Sequence, residues 1–410
     1  MTPRRLYLSL AACIGALAMA LALLSLAQAA RPLPASAPTP LSLPAAVYAP
    51  DRAVSNTLPF DYVSALVTLA ERPDFIALAG YSQSGPAQVL WSADGGKAWW
   101  PLPLPPDLSF WSVIGLTSRA DPAQPVRFLI GDGRTLYRSG DFGLTWTESF
   151  SQTAENGEEG CGMDLQVSQA QPQLLYLSAE CRYFPLLRSS SPNDSYKAYV
   201  SEDGGVSWRE LRVFPQNFVP SPAAPNRVYG GYALDFYSDD RGGSWQPLPS
   251  SWDMDNAILD RVEPDTIYGD QITYETISGT TYYKLLQKTS FDNGVTWRDW
   301  ASDPCAQPDA HGPTFYVPFI SSGRHQLWVG CDDTDDPHYS DELFYSDDAG
   351  DTWRAMGEIP VAVDYGHQGH VLMLNDQGLW RSVDGGDWTL VTADFAAPPR
   401  KPLYLPAILR

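Results

Sequence analysis

Ser238-Asp239-Asp240-Arg241-Gly242-Gly243-Ser244-Trp245 is one of seven copies of a single short pattern, Ser-x-Asp-x-Gly-x-(Ser/Thr)-Trp. The others span Ser92–Trp99, with Ala98 in the Ser/Thr place, Ser139–Trp146, Ser201–Trp208, Ser290–Trp297, Ser346–Trp353 and Ser382–Trp388, the last having lost one residue before its Trp. At average composition such a pattern turns up on the order of 0.001 times in a chain this long. The copies are a repeat, and each position in them has a physical use. The Gly two places after the Asp supplies φ > 0 at no steric cost. The Asp residues (Asp94, Asp141, Asp203, Asp240, Asp292, Asp348 and Asp384) can accept from the backbone N–H groups of their own turn. The Trp offers a large flat surface to wedge between neighbouring sheets.

Successive serines of the pattern are 36 to 62 residues apart. That period is one supersecondary unit, which needs neighbours to bury its faces. Alternating apolar residues precede each copy, as in Val89-Leu90-Trp91, Tyr199-Val200 and Phe344-Tyr345, and a short apolar stretch follows. The local reading is strand, tight turn, strand. Upstream lies a second periodic signal, a proline followed by an apolar run: Pro73 to Leu78, Pro125 to Ile130, Pro172 to Leu177, Pro225 to Gly230 and Pro264 to Gly269. Each is a strand entered from a turn, and another apolar stretch lies ahead of it. Four strands in each of seven repeats predict an all-β chain, a seven-bladed β-propeller with four-stranded blades, the repeated turn joining the third and fourth strands.

On these residues the chain resembles the Asp-box, or BNR, repeat family, over residues 55–395. That family includes sialidases, xyloglucanase-type endoglucanases, the luminal domain of sortilin and a photosystem II assembly factor. The resemblance implies that the boxes are structural hairpins remote from any active site, and it leaves function open. A sialidase would need an arginine triad, a Tyr–Glu pair and an acid/base Asp, with an Arg-Ile-Pro-like motif early on; Arg72-Pro73 lacks the middle residue. The basic patch of the assembly factor has no counterpart here. Neither do the Cys-rich domain of the sortilin type and the second propeller of the xyloglucanase type.

Residues 1–29 read as an export signal: Arg4-Arg5, an apolar run from Leu6 to Leu26, and Ala27-Gln28-Ala29 as a cleavage site. The run is also long enough to be retained as an anchor, the only route by which a membrane partner enters. Residues 30–54 are a Pro/Ala-rich linker and residues 396–410 a Pro-rich tail, read equally as a closing strand or an attachment tag. The net charge is −21, and cleavage after Ala29 would remove two of the 27 basic residues and none of the 48 acidic ones. So acidic a surface argues against nucleic acid and anionic lipid as partners.

Four cysteines follow the signal, an even number in an exported chain, so two disulfides are expected. Cys161 and Cys181 flank the first two strands of the third repeat, and Cys305 and Cys331 those of the sixth. The predicted pairs are Cys161–Cys181 and Cys305–Cys331, stapling loops on the face away from the boxes. That face also carries the longest insertions: residues 180–197, with Arg182 and Tyr183; 331–339, with His338; 252–260, with Trp252 and Asp255; and 270–283, beginning at Asp270. Trp111 falls near it too. Rigid scaffolds display function on such loops, so these residues are the candidate ligand-binding set. Asp332, Asp333, Asp335 and Asp336 could offer oxygen ligands to Ca²⁺, although their spacing matches no calcium loop; no other cofactor is expected. The resulting expectation is a secreted or cell-surface monomer that binds an extracellular protein or glycan without catalysis. The alternative is a glycoside hydrolase, whose carboxylates would come from Asp164, Glu180, Asp255, Asp270 and Asp364.

Overall fold

In a computed structural model of the chain, the described residues are 62–392 without 70–71, 82–87, 106–107, 109–112, 118–125, 153–159, 183–194, 213–216, 232–233, 250–253, 278–279, 306–314, 333–341, 359–361, 366–369, 376–377 and 384–387. They form 28 strands in seven antiparallel four-stranded sheets, with no helix among the described residues. Blade 1 is β1 (Tyr62–Leu69), β2 (Arg72–Tyr81), β3 (Gln88–Ser92) and β4 (Trp100–Pro101). Blade 2 is β5 (Val113–Thr117), β6 (Arg127–Gly131), β7 (Thr135–Ser139) and β8 (Thr147–Ser151). Blade 3 is β9 (Gly160–Val167), β10 (Leu175–Arg182), β11 (Ser195–Ser201) and β12 (Arg209–Glu210). Blade 4 is β13 (Phe218–Pro220), β14 (Val228–Gly230), β15 (Phe236–Ser238) and β16 (Gln246–Pro247). Blade 5 is β17 (Met254–Leu259), β18 (Ile267–Ile277), β19 (Thr280–Ser290) and β20 (Arg298–Asp299). Blade 6 is β21 (Phe315–Gly323), β22 (Gln326–Asp332), β23 (Glu342–Ser346) and β24 (Arg354–Glu358). Blade 7 is β25 (Ala362–Tyr365), β26 (His370–Asn375), β27 (Gly378–Val383) and β28 (Thr389–Thr392).

The first strands neighbour one another around the ring: β1 lies beside β25 and β5, β5 beside β9, β9 beside β13, and β21 beside β17 and β25. They are therefore the innermost strands. Each sheet draws on one contiguous stretch of chain, so blades 1 and 7 meet without sharing a strand.

Seven apolar clusters fill the seven gaps between blades, and each contains the box Trp of the later blade. Trp146 packs into the core between blades 1 and 2, Trp208 between 2 and 3, and Trp245 between 3 and 4. Trp297, Trp353 and Trp388 continue the series. Trp99 closes it, packing with Leu66, Ile76, Leu78 and Leu90 of blade 1 against Leu372 and Leu379 of blade 7. A wedge at every interface is how a chain too long for one core buries its apolar surface in separate layers.

The box supplies the rigid turn that carries each wedge. All seven box serines are buried. In the six boxes described throughout, the serine hydroxyl donates to the Asp at 2.7–2.9 Å. The same oxygen accepts the box Gly N–H at 2.8–2.9 Å. Two successive residues take positive φ, the Gly and the one before it: Phe142 (59°), Arg241 (60°), Asn293 (55°) and Ala349 (62°) stand where other copies have Gly. At Gly143 the left-handed backbone also brings the Pro103 carbonyl so close that an added Cβ would meet it at 2.5 Å, which excludes any side chain there.

Candidate functional site

The box carboxylates are occupied by their own turns. Asp240 accepts from Ser238 Oγ (2.7 Å), Ser244 N (2.8 Å) and Ser244 Oγ (2.7 Å). Asp141, Asp203, Asp292 and Asp348 repeat this with Thr145, Ser207, Thr296 and Thr352. Those hydroxyls, with Ser238 and Ser290, hold Asp240 and Asp292 below the usual carboxylate range. At Asp141, Asp203 and Asp348 burial pushes the other way and the hydrogen bonds outweigh it. Asp94 lacks the last bond, because Ala98 stands where the others have a hydroxyl. Groups so committed serve the fold. The seventh, Asp384, lies outside the described residues.

Antiparallel alternation puts the box turns and the turns between first and second strands on one rim. The connections between second and third strands, and those between blades, share the far rim. Here the structure shows the expected staple in blade 6: Cys305, on the connection before β21, bonds to Cys331 in β22, with Cα atoms 5.4 Å apart and both residues buried. Cys161 and Cys181 stand directly opposite one another in β9 and β10. They sit within strands rather than in the flanking loops expected of them; their side chains lie outside the described residues.

The predicted binding set is only partly placed. Trp111, Tyr183, Trp252, His338, Asp333, Asp335 and Asp336 lie outside the described residues. Four others are placed by backbone alone: Arg182 ends β10 opposite Gly160, Asp255 is second in β17, Asp270 pairs with Gln287, and Asp332 ends β22 opposite Phe315. All four stand toward the far rim. Among the described residues no three His, Cys, Asp or Glu side chains gather as a metal site. The insertion read at 270–283 is regular instead: β18 and β19 pair without a break from Ile267↔Ser290 to Ile277↔Thr280. Alternating Thr, Tyr and Ile around Ser278-Gly279 favour such a ribbon.

Asp164 in β9 is the one eligible carboxylate whose side chain is among those described. Its side chain is exposed, and Gln166 Nε2 donates to both its oxygens at 3.2 and 3.1 Å. Enclosure by the surrounding protein raises its carboxyl above the ordinary value, against the pull of that amide. Gln166, which no motif marks, shares a strand face with Asp164 through their i, i+2 relation.

Residues 236–247 match the model of the BNR/Asp-box repeat. No curated protein matches the sequence. Among solved structures, the chain is similar to the GH74 enzyme of Niastella koreensis, at 15% identity over 82% of this chain and 66% of that one, with a TM-score of 0.39. It is also similar to the GH74 xyloglucanase from Xanthomonas campestris, at 15% identity over 80% and 66%, with a TM-score of 0.37. A third similarity is to YCF48 bound to D1 peptide, at 16% identity over 80% of this chain and 95% of that one, with a TM-score of 0.45. The chain thus spans just under two thirds of the two GH74 proteins.

Proposed function

Since the chain is a seven-bladed propeller of the BNR/Asp-box repeat family, we propose that it is an exported binding module, secreted or held at the cell surface, whose far rim engages a protein or a glycan. One observation carries this reading. The ladder between second and third strands starts at the box serine's rung in six blades and one pair before it, at His370↔Val383, in blade 7; it ends on the far rim after three pairs in blade 4, seven in blade 3 and eleven in blade 5. A rim that varies on a constant base is the arrangement of a binding face. The buried Cys305–Cys331 bond supports an oxidising compartment, and the acidic surface speaks for a partner other than nucleic acid.

The rival, a glycoside hydrolase working with carboxylates on the same rim, is favoured by Asp164, because a carboxyl raised by its surroundings suits a general acid. A glycan-array screen of the purified protein, with and without Ca²⁺, followed by a hydrolysis assay on any sugar bound, separates the readings. Selective binding without turnover is expected. Turnover that Asp164→Asn abolishes would replace the binding module with the enzyme. A silent array directs the search to a protein partner by pull-down, and failure of both to yield one would overturn the reading.

A further inference from the structure

Three box tryptophans are followed by an arginine that opens the fourth strand: Arg209 in blade 3, Arg298 in blade 5 and Arg354 in blade 6. Two of the three have described partners. Arg298 grips Asp351 at 2.6 and 2.8 Å, and its guanidinium carbon is 5.0 Å from the centre of the Phe291 ring. That of Arg354 is 5.2 Å from the ring centre of Tyr345, the residue opposite it on the ladder. Arg209 stands opposite Val200, which has no ring to offer, and no carboxylate among the described residues bonds to it. The place that Tyr345 fills in blade 6 is open in blade 3. There lies a half-open cavity of about 250 Å³, lined by Val200, Glu202, Asp203, Ser207, Trp208 and Arg209.

The polar groups of the cavity are not equally available. Asp203 is spent on its turn, accepting from Ser201 Oγ, Val206 N, Ser207 N and Ser207 Oγ. Glu202 receives Arg241 Nη1 of blade 4 on Oε2, which leaves Oε1 as an acceptor. Arg209 keeps its guanidinium donors. Trp208 is partly exposed and held from the side of blade 2, its Nε1 donating to Ser149 Oγ at 3.1 Å. Tyr176, the rung partner of Val200 on β10, is wholly buried, and its hydroxyl has no hydrogen-bond partner among the described residues. Burial raises its phenol far above the ordinary range, and the charges that reach it are those of Arg241, Glu202, Arg209 and Asp240, which places it by the same corner. An anionic ligand would meet Glu202 and Asp203 here, and a cation would meet Arg209 and Arg241. A neutral ligand that both donates and accepts suits the set. Its hydroxyls accept from Arg209 and donate to Glu202, while an apolar ring face lies on Val200 and the indole. Sites for drug-sized molecules run from about 300 to 1,000 Å³, so this smaller one takes a single ring rather than a chain.

We propose that the cavity in the box hairpin of blade 3 binds one neutral sugar residue, with Arg209 donating to neighbouring hydroxyls, Glu202 accepting from one of them and Trp208 flanking the ring. This site lies on the box rim, apart from the far rim, and stands or falls independently of the binding face assigned there. Val200 is what makes room for it.

Saturation-transfer-difference NMR titrations of the purified protein with the methyl glycosides of D-glucose, D-galactose and D-mannose test it, with sodium acetate as the anionic probe. At least one glycoside is expected to bind. Arg209→Ala should weaken it about tenfold, as the loss of a charged hydrogen-bond donor requires, and Glu202→Gln severalfold. Val200→Tyr, which installs the ring that blade 6 carries at this rung, should abolish binding. Asp347→Asn, an exposed carboxylate at the place in the blade 6 box that Glu202 holds in blade 3, should leave it unchanged. A circular-dichroism melt shows which variants are folded; should Val200→Tyr not fold, Arg209→Ala decides, since its side chain is exposed. The proposal is overturned if no glycoside binds, if Asp347→Asn weakens binding as much as Arg209→Ala, or if acetate alone binds and Arg209→Ala abolishes it. A glycoside indifferent to Arg209→Ala also overturns this site, and leaves the far rim standing as the binding face.

Discussion

The two rims of this ring are built by opposite rules. On the box rim, six boxes make nearly superimposable bonds, and each ladder is in register with its box serine: Ser92 opposite Ile76, Ser139 opposite Phe128, Ser346 opposite Leu327. On the far rim the same ladders stop after anything from three to eleven pairs. The box closes its bonds internally, so it holds its shape whatever the next blade does. Among the described residues the far rim has no such closed unit. Its order comes from individual devices, among them the Cys305–Cys331 bond and the long ribbon of β18 and β19.

That contrast can be broken at either end. The largest effect is expected on the far rim: opening the 26-residue loop by Cys305→Ser with Cys331→Ser should cost about 3–4 kcal/mol in the chain-entropy picture, read as a lower melting midpoint. On the box rim Asp240→Ala removes three accepted bonds and should cost about 1–2 kcal/mol at neutral pH. This loss should shrink in acid. The folded carboxyl sits below its ordinary value, so its contribution is complete above the ordinary carboxylate range and disappears as pH falls through the folded value. Parallel melts of wild type and variant across pH should converge at the acid end; a constant gap would refute the assignment. Asp164 has the opposite sign, its contribution being complete in acid and lost as pH rises through the raised value. The smallest effect sharpens the comparison by completing the incomplete box. Ala98→Thr restores the hydroxyl that Asp94 lacks and should raise stability by about 0.5 kcal/mol in a denaturant titration.

What could be read from the chain follows the same division. The boxes were legible because each is a local sentence, with Ser, Asp, Gly and Trp at fixed offsets and every bond made within five residues. Even there one thing escaped: the residue before the box Gly is also left-handed, and Phe142 hides it, its buried ring offsetting the strain. The ribbon at 267–290 reads in the sequence as a loop insertion because its length breaks the period, although its alternation is that of strands. The sequence places Cys161, Cys181 and Cys331 just outside strands that in fact contain them. Asp164 could be named only as one carboxylate among five. Its exposure is a property of the folded ring, which no local pattern in β9 records.

The interface between blades 1 and 7 joins partners as far apart as Arg381 and Asp74, 307 positions along the chain. At synthesis rates of about 5–20 residues per second, roughly 15 to 60 s separate the first of these blades from the last. Through that interval Leu66, Ile76, Leu78 and Leu90 have no partner sheet to cover them. The protein is thus born with a sticky edge that only its own last blade can seal, and a chain cut short before β26 would carry that edge for its whole life.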